Sequence, residues 1–196
     1  MFEDEYSYPA PVIRCVFACL LNPLKRALTS VWSKFPKLTM YSWPKVFLDP
    51  KKPFEDVLKE EGFKNFDDDR WVDSQPIDNV IIAITDEKKN LFPGLIIKVF
   101  DERCLIQDEI ETLMRNLLTV SQEGNFRDYF GLITNIKSYR FFKYSRIDGR
   151  FFQSEEFCLD IKSEFFGSEK SDDLKSILRL ITALIVKCMQ NLKTEK

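Results

Sequence analysis

Two runs in the middle of the chain, NVIIAIT at 79–85 and GLIIKVF at 94–100, are apolar at almost every position. Short, unbroken runs rich in isoleucine and valine predict strands buried for much of their length. The mostly polar DEKKNLFP between them predicts antiparallel neighbours joined by a modest loop. The next segment, LIQDEIETLMRNLLTVSQ, places Ile106, Ile110, Leu113, Met114, Leu117 and Leu118 three and four residues apart, the period of an amphipathic helix. YFGLITNI follows as a further strand. SYRFFKYSR and RFFQSEEF then flank Asp148-Gly149, a favoured hairpin turn pair. The chain closes on SDDLKSILRLITALIVKCMQNL. Ser171 suits an N-cap, Asp172 and Asp173 suit the positive end of a helix, and Leu174, Ile177, Leu178, Ile181, Leu184 and Ile185 form a stripe expected to be buried.

Upstream, DPKKPFEDVLKEEGF reads as a turn and a short helix from about 53, with proline in its first turn, an apolar edge of Phe54, Val57 and Leu58, and Gly62 as its stop. The loop NFDDDRWVDSQP carries Asp67, Asp68 and Asp69, but it lacks the glycine and closing glutamate of an EF-hand and reads as a solvated turn. Between Tyr6 and Leu48 there is no acidic residue, and the lysines and arginines alternate with aromatic rings. An amphipathic helix is expected near 22–35. Lys25, Arg26, Lys34 and Lys37 could touch a phosphate backbone, whereas Trp32, Phe35 and Trp43 could anchor a protein contact. The protein contact is the preferred reading. The expected organisation is therefore an N-terminal arm over 1–52 with one basic helix, and an α/β (α+β) domain over 53–196 whose mixed sheet lies between helices.

Composition narrows the chemistry. At 196 residues and 44% hydrophobic the chain can bury a full core, and 29 basic against 31 acidic side chains leave no general basic footprint, so any contact with DNA or RNA has to be local. The absence of histidine excludes Ser-His-Asp and Cys-His catalysis and HExxH zinc sites. No GxGxxG or GxxxxGK[ST] loop is present to cradle a nucleotide. The five cysteines, at 15, 19, 104, 158 and 188, are odd in number and scattered, which suits a reduced, intracellular compartment, nuclear or cytoplasmic. The apolar run VIRCVFACLL at 12–21 contains Arg14 and is shorter than the ~20 residues of a membrane span, so no membrane association is expected.

The order of elements from 53 onward, together with PIDNVIIAI…GLIIKVF and YFGLITNIKSYRFFKY, resembles the PD-(D/E)XK nuclease superfamily, whose core is a helix, a strand hairpin, a helix and further strands. The resemblance covers about 53–190. It implies a restriction-endonuclease-like core in which an aspartate opens one strand and a Glu-x-Lys pair ends the next. Two carboxylates then hold Mg²⁺ and a lysine assists the attacking water. Carried onto this chain, the aspartate falls on Asp78, but the glutamate falls on Lys98 and the lysine on Phe100. Lysine repels the ion it would have to bind, and phenylalanine can neither orient water nor stabilise an anion. The expectation is a degenerate site with no metal and no cofactor, in a non-catalytic domain that serves as an interaction or scaffolding subunit with a protein partner. The alternative is a Mg²⁺-dependent nuclease with a displaced site that uses Asp78 with Asp101 or Glu102. Two other places, Asp86-Glu87-Lys88 and Asp160-Ile161-Lys162, have the right spelling in the wrong position.

Overall fold

The computed structural model describes residues 37–43, 48–59, 64–65, 79–86, 88–100, 106–124, 126–135, 137–159 and 172–194. The elements are β1 (Lys37–Trp43), α1 (Phe54–Lys59), β2 (Lys64–Asn65), β3 (Asn79–Thr85), β4 (Leu91–Val99), α2 (Ile106–Glu123), β5 (Asp128–Thr134), β6 (Ser138–Ser145), β7 (Arg150–Gln153), β8 (Phe157–Cys158) and α3 (Asp172–Thr194). The strands form one mixed sheet in the order β2-β1-β3-β4-β5-β6-β7, with β8 also paired to β6. All neighbours are antiparallel except β4 and β5, which are parallel. A parallel pair needs a crossover, and α2 supplies it.

The two faces of the sheet are both covered, which is why its central strands read as continuous apolar runs. On one face Val80, Ile82, Ile84, Leu95, Ile97, Phe130, Leu132, Tyr139 and Phe141 pack with Ile177, Ile181, Ile185, Cys188 and Met189 of α3. On the other, Ile81, Ala83, Ile96, Phe100, Tyr129, Ile133 and Phe142 pack with Phe54 and Val57 of α1 and Ile110, Leu113, Leu117 and Val120 of α2. The result is an α/β fold, a mixed sheet flanked by helices. Two-sided cover also changes the fate of paired phenylalanines. Phe141 and Phe142 point to opposite faces and both are buried, whereas Phe151 is half-buried and Phe152 exposed on the edge strand β7.

Several expectations shift. The segment Lys37–Trp43 is a strand, paired along its whole length with β3, and its Leu38 lies in the α3-side core opposite Ile84. The sheet thus takes in residues before position 53, part of the segment read as an arm. Behind it, the Leu48 N–H donates to the Asn116 side-chain oxygen at 2.9 Å, tying this part of the chain to α2. Strand β4 begins at Leu91, three residues before the apolar run, because Leu91–Pro93 continue the ladder with Ala83–Thr85. The step from Ile82↔Leu95 to Ala83↔Pro93 leaves Gly94 as the extra residue of a bulge. A Cβ there would stand 2.8 Å from the Ile82 carbonyl oxygen, and the Gly94 carbonyl accepts a hydrogen bond from the buried Cys188 thiol at 3.0 Å. Burial pushes the Cys188 pKa up to about 12, so the thiol stays protonated and can donate. In the helices, Leu118 is exposed and Val120 is buried instead, while Leu178 is half-buried and lies outside the α3 core set. The hairpin turn falls where expected, with Gly149 in the left-handed region at φ 60°.

Two stability outcomes are expected in denaturant titrations. Ile181→Ala should cost about 2–5 kcal/mol, the range for truncating a fully buried aliphatic side chain, while Leu178→Ala should cost clearly less. Gly131→Ala should cost about 1–3 kcal/mol by overpacking, since its Cβ would lie 2.8 Å from Leu113 Cδ2 of α2. Equal losses at positions 178 and 181 would contradict the docking of α3 described here.

Candidate functional site

The parallel strands β4 and β5 end side by side, the usual place for a site in a sheet of this kind. The pairing continues one step past β4, with the Phe100 N–H donating to the Thr134 carbonyl at 3.1 Å. Across the antiparallel side, Lys98 stands opposite Asn79, the first residue of β3. Strand alternation puts Ile96, Lys98 and Phe100 on the α2 face, and both Ile96 and Phe100 belong to that core. Lys98 is thus a charged side chain in an apolar layer, with its side chain only 5% exposed.

Its charge is met by Glu109 in the first turn of α2, whose carboxylate lies 3.1 Å from the Lys98 ammonium and is 16% exposed. A carboxylate at that position also faces the positive end of the helix. Two favourable contacts hold Glu109, and one of them neutralises Lys98. An ion pair taken out of water in this way is costly to break, because the partner left behind is a buried, unpaired charge. The pair therefore closes the strand end on the α2 side with a matched set of charges. A cation entering here would have to displace an ammonium from its carboxylate.

The opposite face of the same strand end is built differently. Thr134 and Tyr139 are cross-strand partners, both fully buried on the α3 side. Burial pushes the Tyr139 pKa up to about 12, only partly offset by its neighbour Thr134, so the phenol stays neutral and is no base. The β5–β6 turn is organised by Asn135, whose side-chain oxygen accepts from the Lys137 and Ser138 N–H groups at 3.1 and 2.8 Å. Beside it Arg140 donates to Glu156 at 3.0 Å and holds that carboxyl below its usual range. Asn135, Arg140 and Glu156 are thus all engaged in structure.

Of the residues singled out from sequence, Lys98 and Phe100 come together at this strand end, Lys98 in the ion pair and Phe100 buried in the core. Asp78, Asp101 and Glu102 lie outside the described residues, as do Lys25, Arg26, Lys34, Trp32, Phe35 and Asp160 to Lys162. Lys37 and Trp43 are the first and last residues of β1, placed by their backbone alone. Asp86 is occupied in the β3–β4 turn, where it accepts from the Lys88 and Asn90 N–H groups and from the Asn90 side chain. Glu109 was not singled out from the sequence. The available signal was a lone charge inside an apolar strand, which demands a partner on the element that covers it. Among the described residues there is no group of three or more cysteines or carboxylates placed to hold a metal ion, and no helix long and apolar enough to cross a membrane.

No family model, no curated protein and no solved structure matches the chain.

The ion pair has a measurable signature. Lys98→Met or Glu109→Leu alone should destabilise by about 3–5 kcal/mol by stranding the partner's charge, while Lys98→Met/Glu109→Leu together should recover most of that loss. The cycle is read from denaturant midpoints at neutral pH. Strict additivity of the two single substitutions would show that the residues do not interact.

Proposed function

We propose that the chain is a non-catalytic, nuclease-like domain with a degenerate PD-(D/E)XK site that acts as an interaction or scaffolding subunit of a nucleic-acid-processing assembly. One observation carries the reading. Where the superfamily's chemistry requires a metal-binding carboxylate, this chain has Lys98, buried and paired with Glu109 at 3.1 Å. Where it requires a lysine, Phe100 is packed in the core. The arrangement of helix, antiparallel strand pair, crossover helix and further strands supports a restriction-endonuclease-like core. Such a core, stripped of its metal ligands, keeps a rigid three-layer platform and loses the means to activate water.

In this reading the protein partner docks through the N-terminal aromatic residues Trp32, Phe35 and Trp43, since buried aromatic anchors dominate protein interfaces. Nucleic acid reaches the assembly through Lys25, Arg26, Lys34 and Lys37 or through the other subunits. The alternative, a Mg²⁺-dependent nuclease built on Asp78 with Asp101 or Glu102, calls for carboxylates at a strand end whose adjoining position is held by a lysine.

The test is incubation of the full chain with supercoiled plasmid, single-stranded DNA and RNA in Mg²⁺ and in Mn²⁺. Metal titration by calorimetry runs in parallel. No cleavage and no stoichiometric metal binding are expected. Nicking that disappears in Asp78→Asn would overturn the reading and restore an active site.

A further inference from the structure

The α3-side core is wider than the helix that covers it. Helix α3 crosses this face obliquely. Near its C-terminal end the Cys188 thiol donates to the carbonyl of Gly94 in the first half of β4, and its other closest approach is to β8, which pairs with Ser138 and Tyr139 at the opposite end of the sheet. A helix with its side chains is about 10–12 Å across and neighbouring strands lie about 4.8 Å apart, so one helix shelters roughly two or three strands. Val80 on β3 and Leu38 on β1 belong to the same core and are only 1% and 5% exposed. Leu38 lies two strands away from β4, and Val80 stands opposite Ile97, at the end of the sheet where α3 lies toward β8. Burial this complete calls for a second layer of side chains over β1 and β3. Among the described residues no helix besides α3 packs on this side.

Few other segments have the composition to supply that layer. The β2–β3 connection, 66–78, carries five aspartates, and 160–171, between β8 and α3, carries five charged side chains. Charges in that number do not enter an apolar layer unpaired. The connections 44–47, 60–63 and 101–105 are five residues or shorter. There remains 1–36, which leads directly into β1 at Lys37, beside the residues to be covered. Its run VIRCVFACLL at 12–21 has one charged side chain, Arg14, and is otherwise apolar throughout, the composition of a segment enclosed on all sides. Residues 22–36 can span up to about 50 Å when extended, more than enough to bring that run back over the strand they precede.

We infer that residues 12–21 dock on the α3-side face of β1 and β3 as its second covering layer. Arg14 then lays its stem along the apolar surface and keeps its guanidinium at the rim. The basic and aromatic positions from 22 to 36 are thereby held against the sheet and do not begin a detachable arm. This docking is independent of the nuclease-like reading, since Lys98 and Glu109 lie on the other face.

Photo-crosslinking of the full chain tests the placement. Leucines are replaced during expression by their near-isosteric diazirine analogue, and the crosslinks formed by the monomer are mapped by peptide mass spectrometry. Leu38 is expected to join 12–21, with crosslinks from Leu95 and Leu132 to α3 as the internal control. The chain's own thiols give a second readout, with the exposed Cys158 and the buried Cys188 as references. Cys15 and Cys19 should react with a thiol reagent roughly a hundredfold more slowly than Cys158, or slower still, because they wait for a local opening. Phe17→Asp should abolish that protection, and Lys25→Gln should leave it intact. Should Phe17→Asp fail to fold, the crosslinks and labelling of the unsubstituted chain still decide. Leu38 crosslinks to 66–78 or 160–171 in place of 12–21, crosslinks to 12–21 only between two copies, control crosslinks with none from Leu38 to 12–21, or Cys15 and Cys19 reacting as fast as Cys158 would each overturn the inference. Plasmid cleavage by the same preparation would instead remove the non-catalytic reading and leave the docking standing.

Discussion

A strand with no polar face has to be covered twice. Strand β4 is buried from Pro93 onward, and its side chains alternate between two cores, so neither a solvated sheet nor a single helical layer could hold it. Most of the architecture answers that demand. The neighbours β3 and β5 satisfy its backbone groups, α3 seals one face, and α1 and α2 seal the other. Because β4 and β5 run parallel, α2 has to cross from one end of the sheet to the other, and in doing so it carries Glu109 to the place where β4 ends. The ion pair with Lys98 is thus a product of the crossover. It could not form between strands joined by a simple hairpin.

Much of this was legible in the chain. The two isoleucine-rich runs, the three-and-four spacing of α2, the stripe of α3 and the Asp148-Gly149 turn are each set by local pattern, and each lies where the pattern puts it. What escaped was decided at long range. In β1 the sequence KLTMYSW carries a basic and two aromatic residues beside a stretch with no acids, so its composition pointed to a surface while its strand partner lay more than thirty residues on, beyond an acidic loop. Leu91–Pro93 looked like loop because proline and lysine precede the apolar run, and only the bulge at Gly94 lets those residues rejoin the ladder. Leu118 and Leu178 sit at the margins of their helical stripes, where the apolar pattern does not tell a covered position from an exposed one.

The strand-end reading divides in the same way. That Lys98 and Phe100 occupy positions unsuited to metal chemistry follows from residue type. How an ammonium can be tolerated inside a core does not, because its partner lies on another element. Paired phenylalanines illustrate the point from the apolar side: a period of two says that Phe141 and Phe142 diverge, and only the presence of a layer on each side makes both of them interior. At β7, on the sheet's edge, the same rule leaves Phe152 outside.

The edges of the sheet have a further consequence, for colloidal behaviour. Runs such as NVIIAIT and GLIIKVF combine high β-propensity with little charge, the profile of segments that stack into fibrils when they meet an open strand. In this arrangement both are interior strands, flanked by paired neighbours on either side. Among the described residues the sheet ends instead in β2, two residues long, and in β7 and β8, four and two residues long, whose interruption is bridged by Ser154, whose N–H donates to the Phe141 carbonyl and whose hydroxyl oxygen accepts from the Phe141 N–H. The outer edges of the described sheet thus belong to other strands and not to the isoleucine-rich runs. The segments most prone to self-association are thus held where another molecule can reach them only after the outer strands have come away.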